Sequence, residues 1–185
     1  MPLLVAGLVL FIAIHQIPKI PRLRHALVER LGAKPYRGVF SAVVLLSLAA
    51  VVWGFSSAPF EEVYTPPAWG HQISMILVPI ALVLFAAANM PTRIRAVVQH
   101  PMLLGLFLWA FAHLLANGDV RSVVLFGGFA LFAAVEIVSA VARGKGPPKE
   151  PRPRITMDVA AIVGGLAVAA ILAFFHDTLF GVPVL

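Results

Sequence analysis

Six apolar runs, each near the ~20 residues that a membrane-spanning helix needs, restrict this chain to one kind of fold. They cover approximately residues 2–17, 36–56, 70–90, 101–116, 122–142 and 158–180. Inside hydrocarbon every backbone N–H and C=O must find its partner within the segment, so these runs read as helices of an all-α, polytopic membrane bundle. Composition agrees: 61% of the 185 residues are hydrophobic and 12% are charged, against roughly 45–50% and about 25% in soluble domains. Residues 1–185 are read as a single transmembrane domain. The first run has no basic head and no small-residue cleavage site, so it is kept as a helix and not treated as a removable signal.

The formal charge is +6, but the cations sit in short connections between apolar runs, where they report topology and not nucleic-acid binding. Lys19, Arg22, Arg24, Arg30, Lys34 and Arg37 follow the first run, Arg93 and Arg95 the third, and Arg143, Lys145, Lys149, Arg152 and Arg154 the fifth. Arg121 is the one cation in the alternate set of connections. The positive-inside rule then predicts a multi-pass protein of the bacterial inner membrane, with the three basic connections cytoplasmic and both termini outside. Residues 143–157, rich in proline and cations, read as an extended cytoplasmic linker suited to anionic headgroups.

No cysteine is present, which excludes disulfides, iron–sulfur clusters and thiolate ligation. Phosphate-binding loops, dinucleotide fingerprints and nucleophile elbows are absent as well. Glu61 and Glu62 read as solvated charges of the loop 58–69, whose aromatic residues suit a membrane interface. The pairs Gly127-Gly128 and Gly164-Gly165 lie inside apolar helices, where small residues let neighbouring helices approach closely. Pro79 lies mid-helix and removes the hydrogen bond to Met75, which predicts a bend.

Chemistry therefore rests on polar side chains within the apolar runs. His100 and His113 bracket one such run, and His15 lies near the end of the first, on the face of Leu4, Leu8 and Phe11. A neutral imidazole is cheaper in lipid than a charge and is a good ligand for iron, copper or zinc. Glu136 is expected to be neutral or paired with a loop cation, and Asp158 to favour the start of the last helix. His25 reads as solvated, His71 and His176 as interface residues. His100, preceding Pro101, marks a helix start.

These residues carry a resemblance. His15, Arg22, Arg24, Leu31-Gly32 and Tyr36-Arg37-Gly-Val-Phe40-Ser41, with His100-Pro101, Leu108-Trp109-Ala, Ala112-His113-Leu-Leu-Ala-Asn117-Gly118-Asp119 and Leu125-Phe126-Gly127-Gly128-Phe129, resemble the NnrU family over about residues 3–142. Its relatives include the zeta-carotene isomerase. The resemblance implies a polytopic membrane protein, a link to nitric oxide and nitrite metabolism, and, from the isomerase branch, haem b ligated at the positions of His15 and His113. His100 matches a further family histidine. Reactants of that kind would be nitric oxide or a lipophilic polyene, met within the lipid bilayer.

Depth along the membrane points elsewhere. At 1.5 Å rise per residue, His15 lies about 8 Å to the inner side of its helix centre and His113 about 7 Å to the outer side, a mismatch of about 15 Å for upright helices. His100 is closer in depth to His15, so both pairings stand. Two other classes of function compete with a haem redox or isomerase protein: a non-catalytic sensor or assembly factor, and a membrane methyltransferase suggested by His100-Pro101-Met-Leu-Leu-Gly105. The acidic and aromatic motif that should follow in the methyltransferases does not occur after Ala116.

Overall fold

The computed structural model describes residues 1–144 and 153–184. Helices α1 (Pro2–Gln16), α2 (Pro21–Leu31), α3 (Ala33–Ser56), α4 (Gly70–Ala88), α5 (Arg93–Val98), α6 (Pro101–Ala116), α7 (Val120–Ala142), α8 (Ile155–Phe174) and α9 (His176–Phe180) follow one another. Proline opens α1, α2 and α6, where the missing N–H is one that no helix could have satisfied. With the 3-10 turn that extends it, α1 is long and apolar enough to cross a membrane, as are α3, α4, α7 and α8. The protein is thus a multi-pass, all-α membrane protein. Helix α6 is equally apolar but has 16 residues, about 24 Å of rise against a hydrocarbon core of about 30 Å.

The structure corrects several boundaries. The last apolar run is interrupted at Phe175, so α8 ends at Phe174 and residues 176–180 form the separate α9. Two basic connections contain helix: α2 carries Arg22, Arg24 and Arg30, and α5 carries Arg93 and Arg95. Much of the expected linker, 145–152, lies outside the described residues. Its last three residues are not linker, because α8 begins at Ile155. Pro79 lies within α4, which runs on to Ala88.

The chain forms two compact units. The first comprises Met1–Tyr64 and Asp119–Gly128. Here α1 packs on α3, with Leu4 fully buried. Glycines set the approach: a Cβ on Gly54 would run into the backbone of Leu4, and one on Gly7 would stand 2.8 Å from the backbone nitrogen of Val51. At the start of α7, Asp119 is buried and its carboxylate accepts hydrogen bonds from the Ser122 N–H (3.1 Å) and hydroxyl (2.6 Å). An antiparallel bridge joins Asp119 to Glu62, and the Val120 N–H donates to the Glu61 carbonyl at 2.8 Å. Arg121 pairs with Asp119 at 3.3 Å and lies over the rings of Phe55 and Phe60. Burial, and then the Asp119 charge, push the Tyr64 phenol above its ordinary range, keeping it a neutral hydroxyl.

The second unit comprises Thr65–Gly118 and Phe129–Leu185, with α4 packed on both α6 and α8. A Cβ on Gly70 would meet the Leu115 carbonyl, and one on Gly165 would stand 2.5 Å from the Val83 Cα. The Ser74 hydroxyl lies 2.6 Å from the Ala112 carbonyl and 2.8 Å from that of Gly70, a polar tie between α4 and α6. Asp158 does more than favour its own helix: its carboxylate accepts from the N–H groups of Arg93 (2.7 Å) and Ile94 (3.3 Å), capping α5 from a distant part of the chain. Thr92 completes that cap through the Arg95 N–H at 3.0 Å.

Candidate functional site

His15 and His113 each lie in the last turn of an apolar helix. Their local settings are alike. His15 Nδ1 is 2.7 Å from the carbonyl of Phe11, four residues back, and its ring lies 4.3 Å from the Phe11 ring. His113 Nδ1 is 2.7 Å from the carbonyl of Trp109, again four residues back, with the ring 4.8 Å from the indole. A carbonyl oxygen can only accept, so Nδ1 holds the proton in each ring, and the neutral imidazole has its lone pair on Nε2. That is the tautomer, and the backbone contact, found behind metal-ligating histidines.

Neighbouring aromatic rings fix the orientation further. Phe40 meets the His15 ring edge-on at 5.6 Å, and Phe129 meets Trp109 edge-on at 6.1 Å. Both histidines are half-buried. At the end of α6 the Asn117 N–H and side-chain amide both donate to the His113 carbonyl, at 2.8 and 2.9 Å, so the Asn-Gly-Asp run ends one helix and starts the next. His176 also places Nδ1 2.7 Å from a carbonyl, that of Val182, at an exposed position. His176 also has a tilted aromatic neighbour, Phe180, at 4.8 Å, so neither the hydrogen bond nor the ring alone marks a ligand; what His15 and His113 share is the carbonyl four residues back and a place in the last turn of an apolar helix.

His100 is held differently. It is the residue before α6, as Pro101 led us to expect. Gln99 before it has φ 62° and ψ −45°, and the His100 N–H donates to the Val98 carbonyl at 2.7 Å, a tight three-residue turn. Such a positive-φ γ-turn at a non-glycine residue is rare and costs on the order of 1–3 kcal/mol. Among the described residues His100 Nε2 is buried without a hydrogen-bond partner. His100 lines a cavity of about 230 Å³ with Arg95, Gln99, Met102 and Ala88. The Gln-His-Pro sequence gave no sign of this turn beyond the restriction that proline places on the residue before it.

Of the three candidate histidines, His15 belongs to the first unit and His100 and His113 to the second. His100, the residue before α6, and His113 on it are thirteen positions apart, about 20 Å along the helix axis, so a single metal ion cannot bind both. No group of three or more His, Cys, Asp or Glu able to hold a metal ion occurs among the described residues, whereas haem asks for only one or two axial side chains. On donor chemistry, His15, His113 and His100 all fit that demand. Glu136 is buried at 8% exposure. His25 is exposed beside Glu29 at 3.4 Å, and His71 is exposed.

A family model described as NnrU protein matches residues 3–184. The match extends beyond the motifs quoted above, through α8 and α9. Comparison with curated proteins and comparison with solved structures each give no match.

Proposed function

Because this chain belongs to the NnrU family, we propose that it is a membrane protein that binds b-type haem through His15 and His113 and acts on nitric oxide or a lipophilic polyene. The observation that carries this reading is the repeated histidine setting in the last turn of an apolar helix: an Nδ1–H bound to the carbonyl four residues back, a tilted aromatic ring beside it, and Nε2 as the nitrogen with the lone pair. Haem held there would supply one-electron redox chemistry and, where one histidine gives way, a coordination site for a small ligand. The side chains supply orientation: Phe11 and Trp109 hold the rings, and the helix carbonyls retain the Nδ1 protons. His100, with its buried Nε2, is the rival ligand.

Two additions of ligand test the reaction. Purified, haem-loaded protein is given a cis-polyene in micelles and, separately, nitric oxide; we expect either isomer turnover or a shifted haem spectrum. If neither occurs, both reactants are excluded and an assembly role becomes the better account. We also propose an inner-membrane location with the basic connections cytoplasmic, supported by the distribution of Arg and Lys. The chain has no native cysteine, so single cysteines introduced at positions 24 and 62 can be labelled cleanly; labelling of position 24 from outside would reverse the orientation.

A further inference from the structure

Beside the junction of α1, α2 and α3, Pro18, Arg24, Tyr36, Arg37, Phe40 and Ser41 line a cavity of about 300 Å³. All six residues belong to the first unit. Two arginines line this space and no acidic residue does. Among the described residues neither arginine has an ion-pair partner, and the acidic group on α2, Glu29, lies against His25 at 3.4 Å. The Tyr36 hydroxyl is buried and, among the described residues, has no hydrogen-bond partner. A buried hydroxyl in that state is unfavourable, and an acceptor entering the cavity would relieve it.

We propose that this cavity binds the phosphate of an anionic membrane lipid, with Arg24 and Arg37 bonding its oxygens and the Tyr36 hydroxyl donating a further hydrogen bond. Position favours a lipid as the source of that phosphate. Helices α1 and α3 are of spanning length, so the connection between them falls where hydrocarbon gives way to headgroups. Within that connection α2 has no buried residue and exposes Leu23 and Leu31 together with Arg22, Arg24 and Arg30, the pattern of a helix lying in the interface. The arginine fork matches phosphate oxygens two at a time, and Pro18 and Phe40 offer apolar wall to the glycerol and upper acyl carbons. Phe40 also touches the His15 ring, so the lipid would lie one aromatic ring from that histidine. The inference does not depend on haem.

Native mass spectrometry of the full chain in detergent, titrated with dioleoylphosphatidylglycerol, tests it. Arg24→Gln/Arg37→Gln should weaken the tightest lipid adduct by about tenfold or more, and Tyr36→Phe by about threefold. The matched control, Arg22→Gln/Arg30→Gln, removes the same charge from α2 away from the cavity and should change binding less than about twofold. Arg24 and Arg37 are exposed, and circular dichroism checks that each variant remains folded. Equal loss in the control, or no loss in the cavity variant, would overturn the site. Two further arms identify the source: dioleoylphosphatidylcholine should bind more weakly, and inorganic phosphate should not displace the lipid. Displacement by inorganic phosphate at low millimolar concentration would make the ligand a soluble phosphate and overturn the lipid assignment.

Discussion

His113→Ala and His15→Ala should each lower the haem recovered per folded chain by about tenfold or more, or convert a low-spin spectrum to a high-spin one. Each deletion removes an Nε2 donor whose ring is otherwise fixed by a backbone carbonyl and an aromatic neighbour. His176→Ala is the control, since it removes a ring that also has an Nδ1-to-carbonyl contact and a tilted aromatic neighbour but stands on the five-residue α9. His100→Ala should leave the spectrum in place and act mainly on the strained turn before α6. The opposite ranking, with haem lost from His100→Ala and kept by His113→Ala, would transfer the ligand role to the buried His100 Nε2.

The second large effect is steric. Gly54→Val should destabilise the first unit by about 3 kcal/mol or more, because the new Cβ meets backbone atoms of Leu3 and Leu4, which cannot rotate away. Gly128→Ala should be milder, since the atoms in its way belong to the flexible end of Leu8. Gly127→Ala and Gly164→Ala meet nothing within 4 Å and should stay within about 0.5 kcal/mol of the parent. Denaturation in mixed micelles, followed by helicity, measures all four. A tolerated Gly54→Val would mean that α1 and α3 are not in the close contact described.

Hydropathy made the spanning helices legible because lipid rewards apolar length, whatever lies behind it. It could not say which glycine of a pair faces a neighbour. Adjacent helical residues point about 100° apart, so Gly128 and Gly165 pack while Gly127 and Gly164 face open space. Helix α2 has signals in the sequence, Pro21 at its start and Gly32 at its end, but hydropathy does not separate a cationic helix from a cationic connection. Asp158 shows a different limit: its partners, Arg93 and Ile94, lie more than sixty residues away, and no local pattern encodes a cap received from another helix. The histidines are intermediate. Their isolation on apolar helices is visible in the sequence, and Phe11 and Trp109 stand at the i−4 spacing that puts a ring beside each, but the spacing does not tell which ring nitrogen meets the backbone. The buried Nε2 of His100 required the turn at Gln99, which propensity disfavours.

The most direct test of the central claim is the visible absorption spectrum of the purified full-length chain, expressed with haem in excess and recorded oxidised and then reduced with dithionite. Two imidazole ligands predict a low-spin b-type haem near one per chain, with bands that sharpen on reduction and are lost in His15→Ala and His113→Ala. A folded, helical protein that carries no haem under these conditions would contradict the account and return His15, His113 and His100 to packing and hydrogen bonding within their helices.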